Sequence, residues 1–258
     1  MKIYSYSKIN SFEQCPKKFK YKYINKIKVL EKSVESLLGF TVHSVLEYLY
    51  NEVKSKRIPE IGKIITIYSE TWKENYNENI KIVKKEFTER DYFNKGVEFL
   101  VNYYLKNHPF KDNTLETEKK IEILLDESAN IKLIGFIDRL VHNLETGEYE
   151  IHDYKTANNL PTKEQVENDK QLALYAIAIK ELFGKEKEVA LIWHYLAHGI
   201  KINSKRTNEQ LGELKKEILF LINKIESATN FPTYISKLCD WCEYKNICPA
   251  WKENSNSL

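Results

Sequence analysis

The sequence predicts an α/β protein in which helices flank a small mixed sheet. Three observations carry that expectation. Apolar residues recur with a spacing near 3.6 through the first hundred positions, alternate over residues 117–125 and 131–141, and then return as helix, strand pair and helix. Helices, three strands, a helix, two strands and a helix form a sheet covered by helices, because each apolar face needs a partner.

Taken in order, Ser7 is placed to cap a helix over residues 7–23, and helical periodicity recurs over 37–53, 60–77 and 90–106. The pattern changes after His108-Pro109: alternation of the β type covers 117–125 and 131–141. LETGEY, residues 144–149, reads as a hairpin turn leading into the strand EIHDYKT. A helix is expected over 163–183, then the strands VALIWHYLA and IKINSKR about His198-Gly199, then an amphipathic helix over 208–228. No internal repeat, low-complexity tract or Gly/Ser linker interrupts the 258 residues, so one domain is expected.

Composition excludes some functions. No run approaches the eighteen or so apolar residues of a membrane span, and the lysine-studded N-terminus lacks the apolar centre of a signal peptide, so a cytoplasmic protein without membrane contact is expected. No G-x4-G-K-[ST] loop occurs, so helicase work would need a partner. The net charge is +3, but residues 1–30 carry +7 and the remainder −4. Such an arm fits a polyanion or a solvated face; Lys17, Lys18 and Lys22 are candidate phosphate contacts, and Tyr4, Tyr6, Phe12, Phe19, Tyr21 and Tyr23 between the lysines suit base stacking or a core.

The strand HDYKT puts Asp153 and Lys155 on one face and Tyr154 on the other. Pairing through the turn brings Asp138 nearly opposite Asp153, and opposed carboxylates call for a cation between them. Hard oxygen donors suit Mg2+ or Mn2+, with the Lys155 ammonium beside the ion. On spacing alone a surface ion pair between Asp153 and Lys155 is the commoner meaning. Three cysteines, Cys239, Cys242 and Cys248, cluster near the C-terminus, and Cys15 stands alone near the other end. Reduced surroundings favour a metal over disulfides, and four thiolates serve zinc or an iron–sulfur cluster equally.

GFIDRLVHN, EIHDYKT and QLALY together resemble the PD-(D/E)XK nuclease superfamily in its RecB-like branch. SKINSFEQCPKKFKYKYI, GFTVH and the cysteine-rich end resemble more closely the iron–sulfur RecB-like nucleases, among them CRISPR-associated exonucleases and the AddB nuclease domain. The resemblance implies a restriction-endonuclease-like core over 1–258, a helical insertion at about 45–110, and a cluster region formed by Cys15 with 230–251. It implies His43, Asp138, Asp153 and the Tyr154 carbonyl as ligands of Mg2+ or Mn2+. Asp138, Asp153, Lys155, Gln171 and Tyr175 become the catalytic set, and Cys15, Cys239, Cys242 and Cys248 hold a 4Fe-4S cluster. In this reading the identity of the Tyr154 side chain matters less, and Ile137 stands where the superfamily's name has proline. Taken by itself, His43 amid Val42, Val45 and Leu46 reads as a packed helix histidine. Glu118 could add a carboxylate but is not among the expected ligands. The implied activity is metal-dependent hydrolysis of phosphodiester bonds, as an exonuclease on single-stranded DNA or DNA ends, in CRISPR adaptation or in repair and recombination, with adaptation or helicase partner proteins. The alternatives are a non-catalytic iron–sulfur protein that binds nucleic acid, and the nuclease component of a helicase complex.

Overall fold

The computed structural model describes residues 1–252. β1 (Lys2–Tyr4) leads into α1 (Tyr6–Gln14) and α2 (Pro16–Phe19), which continues as a π-helical turn, Lys20–Ile24. A minimal parallel pair, β2 (Lys32–Ser33) with β3 (Ile80–Lys81), brackets α3 (Val34–Lys54) and α4 (Ile61–Asn75), and α5 (Glu89–Asn107) follows. Then come β4 (Thr114–Asp126), β5 (Ile131–His142), β6 (Tyr149–Lys155), α6 (Lys163–Glu167), α7 (Gln171–Phe183), β7 (Val189–Tyr195), β8 (Ile200–Lys205), α8 (Asn208–Glu226) and α9 (Pro249–Lys252).

The described strands β1 and β4–β8 form one mixed sheet. β5 pairs antiparallel with β4 along one edge; its other edge meets β1 in parallel at Ile131–Leu133 and β6 antiparallel at Arg139–His142. Between those contacts the β5 edge is open from residue 134 to 138. β6 and β7 run parallel, and β8 closes the far side antiparallel to β7. One face packs Ile121, Ile123, Leu133, Ile151 and Leu191 against α1, α7 and α8; the other receives α3, α4 and α5 around Tyr50, Tyr68, Tyr103 and Tyr154. The expected α/β architecture with a mixed central sheet between helices is the one observed. No described helix is long and apolar enough to cross a membrane.

Three elements differ from the sequence reading. The first helix begins two residues earlier, capped by Ser5 rather than Ser7, and breaks at Cys15, where the backbone is extended and Pro16 starts the next helix without an N–H to give. The helix expected over 163–183 is two, because Asp169 turns its carboxylate back to accept from the Leu172 N–H at 3.0 Å and starts α7 afresh. β1 is too short to show alternation, and the pattern of its three residues did not distinguish it from the basic arm.

The chain's two ends meet. Phe12, Phe19 and Phe231 form an aromatic knot with ring centroids 5.4–6.4 Å apart, Lys17 N–H donates to the Pro232 carbonyl at 3.1 Å, and Lys18 pairs with Glu243 at 3.1 Å. The aromatics of the arm therefore include core residues, Tyr4, Phe12 and Phe19 being buried.

Candidate metal and nuclease site

The site lies where the β5 edge is open. Arg139 is register-paired with His152, so the next position along brings Asp138 abreast of Asp153. Instead of continuing the ladder, the Asp138 Oδ2 accepts the Tyr154 N–H at 2.9 Å. On the other side of β5, Thr117 pairs with Arg139 and Lys119 with Ile137, so Glu118 stands opposite Asp138. Its φ of +45° is left-handed, a conformation that costs about 1 kcal/mol or more for a side chain with a Cβ and that concentrates at functional sites. The face alternation slips here too: Leu133, Ile137 and Leu140 all reach the same core.

α3 supplies His43. Its Nε2 lies 2.7 Å from the Tyr154 carbonyl and its Nδ1 3.4 Å from Asp138 Oδ2. Ligand atoms of His43, Glu118 and Asp138 all lie within 4.8 Å of one another, the one such group among the described residues. Asp153 is outside that trio. It is buried, and the Lys155 ammonium lies 2.7 Å from its Oδ2, an oxygen with no other hydrogen-bond partner among the described residues.

These groups share an excess of negative charge. Burial works against a charged His43, but the carboxylates of Asp138 and Asp153 and the Tyr154 carbonyl outweigh it and hold the imidazole up to about 9. Glu118 is raised by desolvation and by the charges of Asp138 and Glu47. Asp153 is raised by burial, an effect that Lys155 partly offsets, and Lys155 is raised because Asp153 outweighs its own burial. Each shift takes up or keeps a proton, the response of a cluster that lacks positive charge. An imidazole, two carboxylates and a peptide carbonyl fit a hard divalent cation, which would take the place of the proton on His43.

Gln171 and Tyr175 stand one turn apart on α7, with the Gln171 amide donating to the Tyr175 hydroxyl at 3.3 Å. The Tyr175 ring lies on Gly135, where any Cβ would collide with it, and its hydroxyl faces the Phe136 backbone N–H. This pair therefore packs across the open β5 edge, where Tyr175 also feels the charges of Asp153 and Asp138. The glycine of GFID is required by that close approach.

Two features lie outside the expected site residues. Glu118 is one, since its place opposite Asp138 depends on the β4–β5 register. The other is a buried polar network under Tyr154, whose side chain the resemblance had treated as unimportant. The Arg139 guanidinium is 2% exposed, lies 3.9 Å over the Tyr50 ring and donates to the Tyr154 hydroxyl at 2.9 Å, to His152 Nδ1 at 2.8 Å and to Asp112. His152 then carries its proton on Nε2 and donates to Glu150 at 3.0 Å. Burial, followed by the Arg139 charge for His152 and by its neighbours His152 and Arg139 for His194, keeps both stacked imidazoles neutral. Arg139 thus fixes the residue whose amide holds Asp138 and whose carbonyl faces His43. The sequence signal was an arginine and a histidine on strands that should point inward.

The four cysteines are reduced and line one small cavity with Lys17, Tyr21 and Trp251, so Cys15 does meet the C-terminal three. No three of their sulfurs lie within 4.8 Å of one another.

No curated protein matches this sequence. Two solved structures are similar in shape: a "Putative exonuclease" from Eubacterium rectale (TM-score 0.52, 12% identity, covering 98% of this chain and 88% of that one) and SSO0001 (TM-score 0.47, 12% identity, covering 96% and 86%). The first of these shares the fold. The model of the PD-(D/E)XK nuclease superfamily matches residues 3–249, nearly the whole chain, and the protein belongs to that superfamily.

Proposed function

We propose that this chain is a metal-dependent DNA nuclease of the RecB-like iron–sulfur branch, hydrolysing phosphodiester bonds as an exonuclease on single strands or at ends. The observation that carries the reading is the convergence of His43, Glu118 and Asp138 beside the buried Asp153–Lys155 pair. His43, Asp138, Glu118, Asp153 and the Tyr154 carbonyl would hold the ion. When bound, a divalent cation supplies Lewis acidity and an acidified water. Lys155 keeps its proton next to Asp153 and offers a fixed ammonium to the charge that develops on the phosphate. Tyr154, anchored by Arg139, keeps Asp138 and His43 in mutual register. The test is cleavage of end-labelled single- and double-stranded DNA with Mg2+, Mn2+ or chelator; DNA bound but uncut with every metal, in protein with its cysteine site intact, would favour the binding-only alternative.

In this reading residues 1–258 are one nuclease domain with a helical insertion at about 45–110, working with adaptation or helicase partners. Cys15, Cys239, Cys242 and Cys248 hold a 4Fe-4S cluster. What supports the four-cysteine set is that Cys15 lines the same small cavity as the other three, while the choice of an iron–sulfur cluster over zinc, which four thiolates serve equally, follows the resemblance. Replacing Cys15 or Cys248 by serine is expected to abolish iron and sulfide content and expose residues from about 233 onward to limited proteolysis. The N-terminal helices should stay protected, since the Phe12, Phe19 and Phe231 knot holds them independently. Stoichiometric zinc without sulfide in anaerobically prepared protein would exclude the cluster.

A further inference from the structure

Beyond the metal site lies a groove between the arm that follows the π-helical turn and the cysteine-rich segment. Lys22, Lys26, Lys28, Lys32, Lys81 and Trp241 line it. The arm is pinned there by the Tyr244 hydroxyl, which donates to the Ile27 carbonyl at 3.1 Å. The acidic residues in the groove are already engaged: Glu243 by Lys18 and Lys22, Asp240 by Lys245, and Glu31 by Lys81. Lys26, Lys28 and Lys32 are exposed and make no ion pair among the described residues. The groove therefore presents three uncompensated cations in a row, whereas Lys18 and Lys22, expected from the sequence to meet phosphate, are partly neutralised by Glu243.

The groove borders the start of the helix that carries His43. Ser36, in the first turn of α3, lines it. Ser36, Phe40, His43 and Glu47 are spaced four, three and four residues apart, so they share a stripe on α3. From Ser36 to His43 the axis advances about 10 Å. Midway stands Phe40, a phenylalanine 54% exposed on a helix whose other large apolar residues are buried or partly buried. Exposed to water it is unfavourable, but it is well placed for a flat apolar ligand arriving from the groove.

We propose that single-stranded nucleic acid enters through this groove, with consecutive phosphates on Lys26, Lys28 and Lys32 and one base stacked on Phe40 before the chain reaches His43 and Asp138. Cations follow the backbone whatever the sequence, and a ring face accepts any unpaired base. A duplex keeps its bases stacked inside and offers Phe40 nothing to stack on. The inference takes its endpoint from the nuclease reading, but binding tests it separately from cleavage.

The experiment is fluorescence anisotropy of labelled oligothymidylate in chelator, repeated over a range of KCl concentrations. Relative to wild type, the variant K26A/K28A/K32A should lower the slope of log affinity against log salt by about 2, three phosphate contacts at roughly 0.7 each. A control with Lys54, Lys163 and Lys216 replaced by alanine, all exposed and outside the groove, should keep the wild-type slope. Phe40→Ala should weaken single-strand binding roughly tenfold while leaving duplex binding as it was. All these side chains are exposed, and unchanged melting temperatures will show that folding is intact. An unchanged slope in the groove variant overturns the proposal, as does equal loss on duplex and single strand in Phe40→Ala, or a wild type that binds no oligothymidylate. A reduced slope supports the groove whether or not the wild type cuts DNA, and a failure to cut counts against the nuclease reading alone.

Discussion

Lys155→Ala is expected to lower the cleavage rate by about 10²- to 10³-fold, the usual cost of losing one preorganised donor aimed at developing charge. The side chain has two duties. Its ammonium lies 2.7 Å from the buried Asp153 Oδ2, and the side chain is 32% exposed, so a phosphate can reach it. Without it, Asp153 loses the main charge that offsets burial and keeps only the weaker help of His43, so its carboxyl rises further and holds a proton more often. The variant should therefore bind divalent metal less tightly as well as turn over more slowly, a combination that titration calorimetry and single-turnover kinetics resolve. Lys155→Arg keeps the charge but places a planar fork where a point cation stood, so it should restore metal affinity more completely than rate. Oligonucleotide binding in chelator should be little changed in either. Wild-type turnover by Lys155→Ala would remove the residue from the mechanism.

Arg139→Leu is expected to cost about 3–5 kcal/mol of stability, because breaking a buried charge pair strands its partners. For a chain of this size that corresponds to a melting temperature lower by roughly 10 °C. Asp112 would lose its guanidinium, His152 the donor to its Nδ1, and the Tyr154 hydroxyl the Arg139 Nε–H. Tyr154→Phe is the informative companion. It removes only the hydroxyl at the end of the chain of contacts, so about 1 kcal/mol of stability should go. If Arg139 acts on the site through Tyr154, this mild variant should still weaken metal binding measurably in calorimetry. A loss of stability with unaltered metal affinity in Tyr154→Phe would confine the network to the core.

The sequence by itself determined the layered α/β class and most of its elements, because periods of 3.6 and 2 are local properties of the chain. The same period of 2 set Asp153 and Lys155 side by side and opposed Tyr154 to them, and counting back from the turn brought Asp138 abreast of Asp153. Gln171 and Tyr175 were legible as neighbours one helical turn apart, and ligand number raised Cys15 as a possible partner for three distant cysteines, which the resemblance to the iron–sulfur nucleases then implied. What those residues touch was decided by tertiary structure. Glu118 joins His43 and Asp138 only through the β4–β5 register and a left-handed residue within a strand. Tyr175 meets Gly135 because α7 packs across the open edge of β5. Arg139, unremarkable between Asp138 and Leu140, became the anchor of Tyr154 once Asp112, Tyr50 and His152 closed around it. The lysines tell the same story. All carry the same charge in the sequence, and only the fold brings Glu243 to Lys18 and Lys22 while leaving Lys26, Lys28 and Lys32 open. Backbone periodicity is written in neighbouring residues, whereas charge compensation depends on which distant groups the fold brings within a few ångströms.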